Sequence, residues 1–324
     1  MQYWVIDSAK KISLLQEEQE DANLRTHARI KIARASICPS DIAIFQGKLQ
    51  KSNIVPSRCA LGLISESKKP TLAKGLRVFV SPYHFEKDKK TQIAGLDYDG
   101  YLSDFSVADN NDIYIVPEYI EDEDVTFIED VAMAIKACSL IEIKETHYVA
   151  IFGATHLNII LGQLALYYQA IPIIIDSDAD ALSVAEAHGI YYTVNSQKEN
   201  VYDKIIEITS GNLVEHLVID TDIMPNPDQE ILKSVTIGGT VAFIGYNTTL
   251  DNLKMNASYI VSRQLSIFGV NDGIGEIEPA INMLATGVIN VEGLLEKMYD
   301  FSEVEEMFST LSTKKHRLKN IVRC

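Results

Sequence analysis

The sequence predicts an α/β protein that combines a doubly wound parallel sheet with a second, β-rich domain of barrel type. From residue 149 onward, short β-branched runs alternate with segments of helical periodicity. The first 115 residues instead carry strand-like runs separated by turn residues. With 324 residues, of which 47% are hydrophobic, the chain is long enough for two globular domains.

The second half of the chain predicts the parallel sheet. Apolar runs without polar alternation, separated by helices, are typical of strands that are buried on both faces. The predicted strands lie at 149–152, 172–176, 191–194, 216–220, 240–245 and 265–269. The predicted helices lie near 157–169, 179–188, 201–209 and 228–235. We therefore expect a doubly wound α/β domain over residues 120–270.

Both ends of the chain predict the β-rich domain. Strand-like runs occupy residues 28–37, 76–82 and 103–117. After a helix predicted near 276–287, the chain ends in KNIVRC, which can form a closing strand that returns to the first domain. We therefore expect residues 1–119 and 271–324 to fold together.

Composition and charge exclude several classes of function. Twenty-nine basic and 45 acidic side chains give a net charge of −16, which repels nucleic acid and anionic membranes. The N-terminus lacks the pattern of a signal peptide, and no apolar stretch approaches the length needed to span a bilayer. The four cysteines are scattered and form no C-x-x-C pair. We expect a cytoplasmic protein with reduced thiols and no nucleic-acid or membrane partner.

Five segments, in order along the chain, resemble motifs of the medium-chain dehydrogenase/reductase superfamily, which includes zinc alcohol and polyol dehydrogenases. They are ASICPSDIAIFQGK (35–48), LDYDGYLSDFSVADNNDIYIVPEYI (96–120), FIEDVAMAIKAC (127–138), IGGTVAFIGY (237–246) and FGVNDGIGEIEPAINMLATGVIN (268–290). The resemblance implies a Rossmann nucleotide-binding domain, a GroES-like domain and a small-molecule substrate. It also implies a homo-oligomer, a dimer paired through the late strands near 240–270.

The turn after the first predicted parallel strand departs from the dinucleotide-binding pattern. That pattern is G-x-G-x-x-G, and here Gly153 is followed by Thr155 and Asn158 at the two other glycine positions. Backbone N–H groups at a helix N-terminus can bind an anion whatever the side chains are, so Gly153, Thr155, His156 and Leu157 are candidate cofactor-binding residues. The bulk of these side chains can equally fill the place of the pyrophosphate.

Asp176 ends the second predicted parallel strand, 23 positions after Gly153. An acid there can hydrogen-bond a ribose 2′-OH and repel a 2′-phosphate, which favours NAD over NADP as the cofactor. The structural alternative is that Asp176 caps the helix that opens at SDADAL, a role that Asp178 can also fill.

The resemblance also implies a set of catalytic residues around a zinc ion. Cys38 corresponds to the first zinc ligand, and Ser40 to the hydroxyl that relays the proton of the alcohol. Asp41 corresponds to an acid near the site, and Glu129 to a carboxylate that many polyol dehydrogenases use as a further ligand. These residue types suit a Lewis-acid centre with one position open for substrate.

The ligand set has a gap. By the resemblance, the family's Gly-His-Glu motif corresponds to Gly62, Leu63 and Ile64, and an apolar pair cannot coordinate zinc. Cys59 or His84 can in principle replace the missing ligand, but we expect that the catalytic zinc is absent. The region of the family's four-cysteine lobe contains no cysteine, so we expect no structural zinc either.

Two hypotheses of function remain open. The first is an NAD-linked oxidoreductase that acts on a small alcohol, polyol or carbonyl compound, where Ser40 or Tyr101 orients the substrate oxygen without a metal. The retained Asp176, Ser40 and Asp41 favour it. A related possibility is a biosynthetic dehydrogenase with a highly specialised substrate, in which the glycine turn and the metal site were remodelled together. The second is a non-catalytic protein of the same fold that binds a metabolite or a protein partner. Changes in both the glycine turn and the metal ligands favour this alternative.

Overall fold

The computed structural model of the protein describes residues 1–18, 22–85, 91–223, 229–246, 256–313 and 316–324. By its internal contacts the chain divides into two compact units. The first unit comprises Met1–Glu129, Ile277–Ala285 and Leu295–Cys324, and the second comprises Asp130–Glu276 and Thr286–Leu294. These units do not match the domain limits expected from the sequence residue for residue, and those limits stay a prediction.

The strands of the described residues are numbered in chain order. They are β1 (Gln2–Ser8), β2 (Lys11–Gln16), β3 (His27–Ile37), β4 (Ala60–Ser67), β5 (Arg77–Val80), β6 (Tyr83–His84), β7 (Gln92–Ile93), β8 (Phe105–Asp109), β9 (Ile113–Ile115), β10 (Tyr148–Phe152), β11 (Ile171–Asp176), β12 (Tyr192–Asn195), β13 (Val214–Asp220), β14 (Val235–Ile244), β15 (Ser266–Val270), β16 (Leu295–Asp300) and β17 (Lys319–Arg323).

The helices of the described residues follow the same numbering. They are α1 (Pro39–Phe45), α2 (Asp122–Val125), α3 (Ile128–Leu140), α4 (His156–Tyr167), α5 (Ala179–Ala187), α6 (Val201–Ile208), α7 (Ala257–Arg263), α8 (Ile277–Ala285) and α9 (Val304–Leu311), with 3₁₀ helices at Gln229–Ser234 and Phe301–Glu303. No helix in the described part of the chain is long and apolar enough to cross a membrane.

The second unit is built on a parallel sheet, as predicted from the apolar runs. In the described residues its strand order is β12-β11-β10-β13-β14-β15. Renumbered from β10, this is the order 3-2-1-4-5-6 of a doubly wound dinucleotide-binding sheet. The order reverses between β10 and β13, so the carboxyl ends of these two strands lie where such sheets bind their ligands.

Two predicted elements of this unit need correction. The helix predicted near 228–235 is a 3₁₀ helix over Gln229–Ser234. Residues 257–263, within the region expected to supply the late strands, form α7, and β15 follows it where a strand was predicted. The Asn256 side chain accepts a hydrogen bond from the Tyr259 N–H and so caps α7, and Gln264 ends it in the left-handed conformation.

The first unit is organised around the longest strand, β3. In the described residues β3 pairs with β4, β8 and β17, and the sheet continues from β17 to β16 and from β4 through β5 to β9. β17 lies antiparallel to β3, with Val322 opposite Ala35. The prediction that KNIVRC closes the first domain is therefore confirmed, and both ends of the chain share one hydrophobic core.

Gly62 in β4 allows the close approach of β4 to β3. A Cβ atom added there would lie 2.4 Å from Cγ2 of Ile30 and 2.6 Å from the carbonyl oxygen of Lys31. We expect Gly62→Ala to lower the free energy of unfolding by about 2 kcal/mol, because neither neighbour can move without shifting the strand. Urea unfolding measures the change. Gly269→Ala in β15 is the control, because nothing lies within 4 Å of its added Cβ, and an equal loss in both variants would contradict this account.

Candidate functional site

The first group of candidate residues lies at the start of α1. Cys38 precedes the helix, and its N–H donates to Oδ2 of Asp41 over 2.8 Å. The other carboxylate oxygen, Oδ1, accepts the Ser57 N–H at 3.0 Å. Burial raises the pKa of Asp41 to about 6, although both N–H donors oppose the rise. Asp41 therefore fixes the start of α1 to the segment that precedes β4.

Ser40 lies in the same turn and is fully buried. Its Oγ atom has no hydrogen-bond partner among the described residues. Buried hydroxyl groups are nearly always hydrogen-bonded, so this unsatisfied Oγ is an exception that calls for a partner outside the described residues, such as a water molecule or a ligand atom. This environment fits a hydroxyl that contacts a substrate oxygen.

Glu129 forms a buried ion pair with Arg58, a residue that the sequence did not single out. The Arg58 Nε and Nη2 atoms lie 2.8 and 2.7 Å from Oε1 of Glu129. The two side chains are 1% and 0% exposed. The Tyr83 hydroxyl donates to the same oxygen over 3.2 Å. The second oxygen of Glu129, Oε2, is buried and has no partner among the described residues.

Cys38 belongs to the same electrostatic cluster. Burial raises the pKa of its thiol well above the usual range, and the negative charges of Glu129 and Asp41 raise it further. The positive charges of Lys319 and Arg58 act in the opposite direction. Cys38 is therefore electrostatically coupled to the pair of Arg58 and Glu129.

The residue beside Glu129 is Arg58 and not Leu63, which corrects the position inferred for the missing ligand. Leu63 is 43% exposed, because β4 alternates and turns this side chain away from the core. Ile64 points inward and packs in the hydrophobic core of the first unit. The signal that could have identified Arg58 is a single charged residue between small and apolar ones, just ahead of the apolar run that forms β4.

The remaining candidates are the two possible replacement ligands, Cys59 and His84, and the hydroxyl of Tyr101. His84 Nδ1 lies 2.7 Å from Oδ2 of Asp112. Cys59 is fully buried. The Tyr101 hydroxyl donates to the Ser81 carbonyl oxygen over 3.2 Å, so its proton is already engaged within the protein.

The described residues do not fit a catalytic zinc ion. No group of three or more His, Cys, Asp or Glu side chains among them is arranged to hold a metal. A catalytic zinc takes three protein ligands, whereas here Glu129 is paired with a guanidinium and Cys38 is a buried thiol. The absence of zinc itself stays a prediction that metal analysis tests.

The second group of candidate residues lies at the turn after β10. Gly153 has a φ of +101°, which favours glycine, and its N–H donates to the Ile175 carbonyl oxygen over 2.9 Å. The next N–H, from Ala154, donates to Oδ2 of Asp176 over 2.8 Å. Oδ1 of Asp176 accepts the Asp178 N–H at 2.9 Å. Asp176 is 5% exposed, so its carboxylate is largely committed to the turn.

The residues at the two missing glycine positions are bonded inside the turn. Thr155 caps α4, and its Oγ1 accepts the Asn158 N–H and donates to Oδ2 of Asp220 over 2.8 Å. The Asn158 amide donates to the carbonyl oxygens of Gly153 and Phe152, over 2.8 and 3.1 Å. These polar side chains therefore stabilise the turn from within.

The side chains of the other two candidate cofactor residues are also engaged. His156 Nε2 lies 3.1 Å from Oδ1 of Asp130, which also accepts the Tyr246 hydroxyl at 2.6 Å. Leu157 is buried at 2% exposure. The N–H groups in the first turn of a helix have no partner within the helix. The backbone of α4, rather than these side chains, is therefore the group that can bind an anion.

Asp178, and not Asp176, caps α5. Its carboxylate accepts the N–H groups of Asp180 and Ala181, which are the donors that an N-cap satisfies. The structure thus resolves the alternative left open by the sequence and leaves Asp176 at the carboxyl end of β11.

Asp220, at the carboxyl end of β13, is a residue of this turn that was not predicted from the sequence. Its pKa is raised to about 7, chiefly by burial and then by the negative charge of Asp222. Hydrogen bonds from the Thr155 hydroxyl and the Asp222 N–H lower it. Because the folded-state pKa exceeds that of an exposed carboxyl, Asp220 favours folding at acid pH, and this contribution is lost as the pH rises through about 7.

Two substitutions should move the pKa of Asp220 in opposite directions. Thr155→Val removes a hydrogen bond to the carboxylate and should raise the pKa, whereas Asp222→Asn removes a neighbouring negative charge and should lower it. Each change should be on the order of half a unit to one unit. The ¹³C chemical shift of the Asp220 carboxyl, followed against pH, measures both. Shifts of the same sign would contradict this description of the turn.

Comparison with known protein families gives two matches. The description "Alcohol dehydrogenase GroES-like domain" matches residues 25–118, and "Zinc-binding dehydrogenase" matches residues 157–286. Together the two matches include segments of both structural units.

Individual proteins are similar over most of the chain. An uncharacterized zinc-type alcohol dehydrogenase-like protein of Haemophilus influenzae is 26% identical over 87% of this chain and 87% of its own length. The D-arabitol-phosphate dehydrogenase of Enterococcus avium is 25% identical over 86% of this chain and 85% of its own. A crystal structure of a short chain alcohol dehydrogenase from E. coli CFT073, complexed with NADH, has a TM-score of 0.89 at 20% identity and covers 100% of this chain and 99% of that one.

Proposed function

The chain belongs to the medium-chain dehydrogenase/reductase superfamily and is of the alcohol and polyol dehydrogenase type, and from this premise we propose that it is an NAD(H)-linked oxidoreductase. Its substrate is a small alcohol, polyol or carbonyl compound, and the reaction proceeds without a catalytic zinc. The relatives support the substrate class, since one of them is a dehydrogenase of a sugar alcohol phosphate.

The observation that carries the proposal is the place of the turn in the second unit. Gly153 and the N-terminus of α4 follow β10, at the point where the strand order reverses towards β13. Sheets of this topology bind dinucleotides there, with the pyrophosphate at the helix N-terminus. The similar solved structure from E. coli is complexed with NADH, which supports the same cofactor class here.

Asp176 supports NAD over NADP. It ends β11, the strand that neighbours β10, and its carboxylate lies against the turn through the Ala154 N–H. A carboxylate at this place accepts hydrogen bonds from ribose hydroxyls and repels a 2′-phosphate. The 5% exposure of Asp176 requires that the cofactor shift the side chain slightly to reach it.

The first unit supplies the groups for the substrate oxygen. Oxidation of an alcohol removes a hydride from its carbon and a proton from its oxygen, and a bound nicotinamide supplies the hydride acceptor. The Ser40 hydroxyl can hydrogen-bond the substrate oxygen and so orient it, because Oγ has no other partner among the described residues, and the proton of the alcohol then leaves to solvent water. A hydroxyl with an ordinary pKa contributes modestly, so a low turnover rate is expected.

A specific observation favours a second candidate function, that of a non-catalytic protein of this fold. The turn carries its own polar side chains in place of two glycines, and Asp176, Asp220 and Asp222 place carboxylates around it. Carboxylates repel a pyrophosphate. Under this alternative the turn is a closed hydrogen-bond network, and the protein binds a metabolite or a protein partner without a dinucleotide.

Titration with NADH and NADPH, followed by nicotinamide fluorescence, distinguishes the two functions. We expect NADH to bind more tightly than NADPH. Asp176→Asn should weaken NADH binding about tenfold, because an amide accepts hydrogen bonds from the two ribose hydroxyls less well than a carboxylate does. Asp178→Asn is the matched control: it lies two residues away, and asparagine keeps the cap of α5, so NADH affinity should not change.

If neither cofactor binds the wild-type protein, the oxidoreductase proposal fails and the non-catalytic alternative stands. If NADH binds and Asp176→Asn and Asp178→Asn weaken it equally, the assignment of the ribose contact to Asp176 is wrong.

We also propose that the protein forms a homodimer through β15. This strand ends the sheet order in the described residues, and Ile267 within it is 39% exposed. Ile267→Lys should convert the dimer to a monomer in size-exclusion chromatography with light scattering. Leu63→Lys, at an equally exposed strand position of the first unit, should leave the dimer intact. A monomeric wild-type protein would overturn this proposal.

The cysteines support the cytoplasm as the proposed location. Cys38, Cys59 and Cys138 are buried, Cys324 is partly buried, and the described residues hold no disulfide. Cysteines without disulfides are typical of a reducing compartment.

A further inference from the structure

We propose that the Arg58 guanidinium takes the place of a metal ion in the first unit, as the permanent positive charge beside Glu129 and Cys38. The proposal concerns the cation of this site and applies whether or not the protein binds a dinucleotide. It deepens the zinc-free part of the proposed function, and its metal titrations can fail or succeed separately from the cofactor titrations that test dinucleotide binding.

The hydrogen bonds to Glu129 leave its Oε1 atom unavailable to a metal ion. Oε1 accepts two N–H groups of Arg58, at 2.8 and 2.7 Å, and the Tyr83 hydroxyl at 3.2 Å. A divalent ion that bound this oxygen would have to displace these donors. It would also lie close to the guanidinium, and two cations in a buried site repel each other strongly.

Charge balance supports the same conclusion. Glu129 and Asp41 are fully buried acids, and both interact electrostatically with Cys38. Arg58 and Lys319 are the buried cations that act on the same thiol, at 1% and 2% exposure. A site with these two cations has no need of a metal to compensate its carboxylates, whereas uncompensated buried charges would be costly.

Arginine is well suited to this role. A guanidinium stays protonated at every pH that a folded protein meets, and its planar fork donates several hydrogen bonds at once. Unlike a metal, it cannot be removed by a chelator, and unlike a lysine it does not lose its charge on burial.

Two orphan atoms distinguish this cluster from an ion pair with a purely structural role. Oε2 of Glu129 and Oγ of Ser40 are both buried and have no partner among the described residues. A cluster built only for stability would satisfy its polar atoms. The orphan acceptor and the orphan hydroxyl suit a small ligand that carries a hydroxyl or carbonyl oxygen.

Restoring a metal site tests the proposal directly. Arg58→His removes the guanidinium and supplies a third donor beside Cys38 and Glu129, which completes the ligand number of a catalytic zinc. We expect this variant to bind one equivalent of Zn²⁺ about 100-fold more tightly than the wild-type protein, in competition with a chromophoric chelator. With Co²⁺ as the probe it should also show a thiolate-to-metal charge-transfer band, which the wild type should lack.

Two variants serve as controls. Leu63→His adds the same imidazole at an exposed position and leaves Arg58 in place, so it should bind Zn²⁺ no better than the wild type. Cys38→Ser, made in the Arg58→His background, should abolish the charge-transfer band and the gain in affinity.

Either of two results would overturn the proposal. One is a wild-type protein that binds one equivalent of Zn²⁺, or shows the Co²⁺ thiolate band, in a manner that Cys38→Ser abolishes. The other is an Arg58→His variant with a wild-type circular dichroism spectrum and no gain in affinity. If Arg58→His does not fold, the Co²⁺ titration of the wild type decides, since a thiolate band refutes the proposal and its absence supports it.

Discussion

The ion pair between Arg58 and Glu129 is the constraint on which the site of the first unit depends. Both charges are removed from water, so each is tolerated only because the other is present. The pair links the segment before β4 to the start of α3. The hydroxyl of Tyr83, which lies on β6, donates a hydrogen bond to the same Oε1 atom of Glu129. Burial is the main cause of the raised pKa of the Cys38 thiol, and the negative charge of Glu129 adds to it, while the positive charge of Arg58 lowers it.

In the second unit, polar groups at the turn after β10 are likewise bonded by side chains of the protein itself. A sheet with this strand order ends in backbone N–H groups and a helix N-terminus that attract an anion. Here Asp176 supplies a carboxylate to the Ala154 N–H, and Asn158 bonds the carbonyl oxygens of the turn. In both units, then, side chains of the protein itself bond polar groups that could otherwise bind a metal ion or a phosphate: Arg58 bonds Glu129, and Asp176 accepts the Ala154 N–H. A dinucleotide that binds this turn must compete with these internal bonds.

The parallel sheet could be predicted because its signal is local: short apolar runs such as those of β10 and β11, separated by helical segments, are typical of strands buried on both faces. α7 was missed because its signal is a single cap, Asn256, ahead of an apolar segment that also resembles a strand. The association of Cys38 with Asp41 was likewise predictable, since both lie in one short motif. The pairing of Arg58 with Glu129 was not, because the residues are 71 positions apart and only the folded chain shows that Leu63 faces outward.

The central claim, that a mutually dependent ion pair stands where a metal would, is tested most directly by a double-mutant cycle on the free energy of unfolding. Arg58→Met and Glu129→Gln should each cost about 3–5 kcal/mol, because each leaves the partner's charge buried and uncompensated. The double variant should cost clearly less than the sum, with a coupling of about 2 kcal/mol or more. Losses that add without coupling would show that the two charges do not depend on each other and would contradict the account.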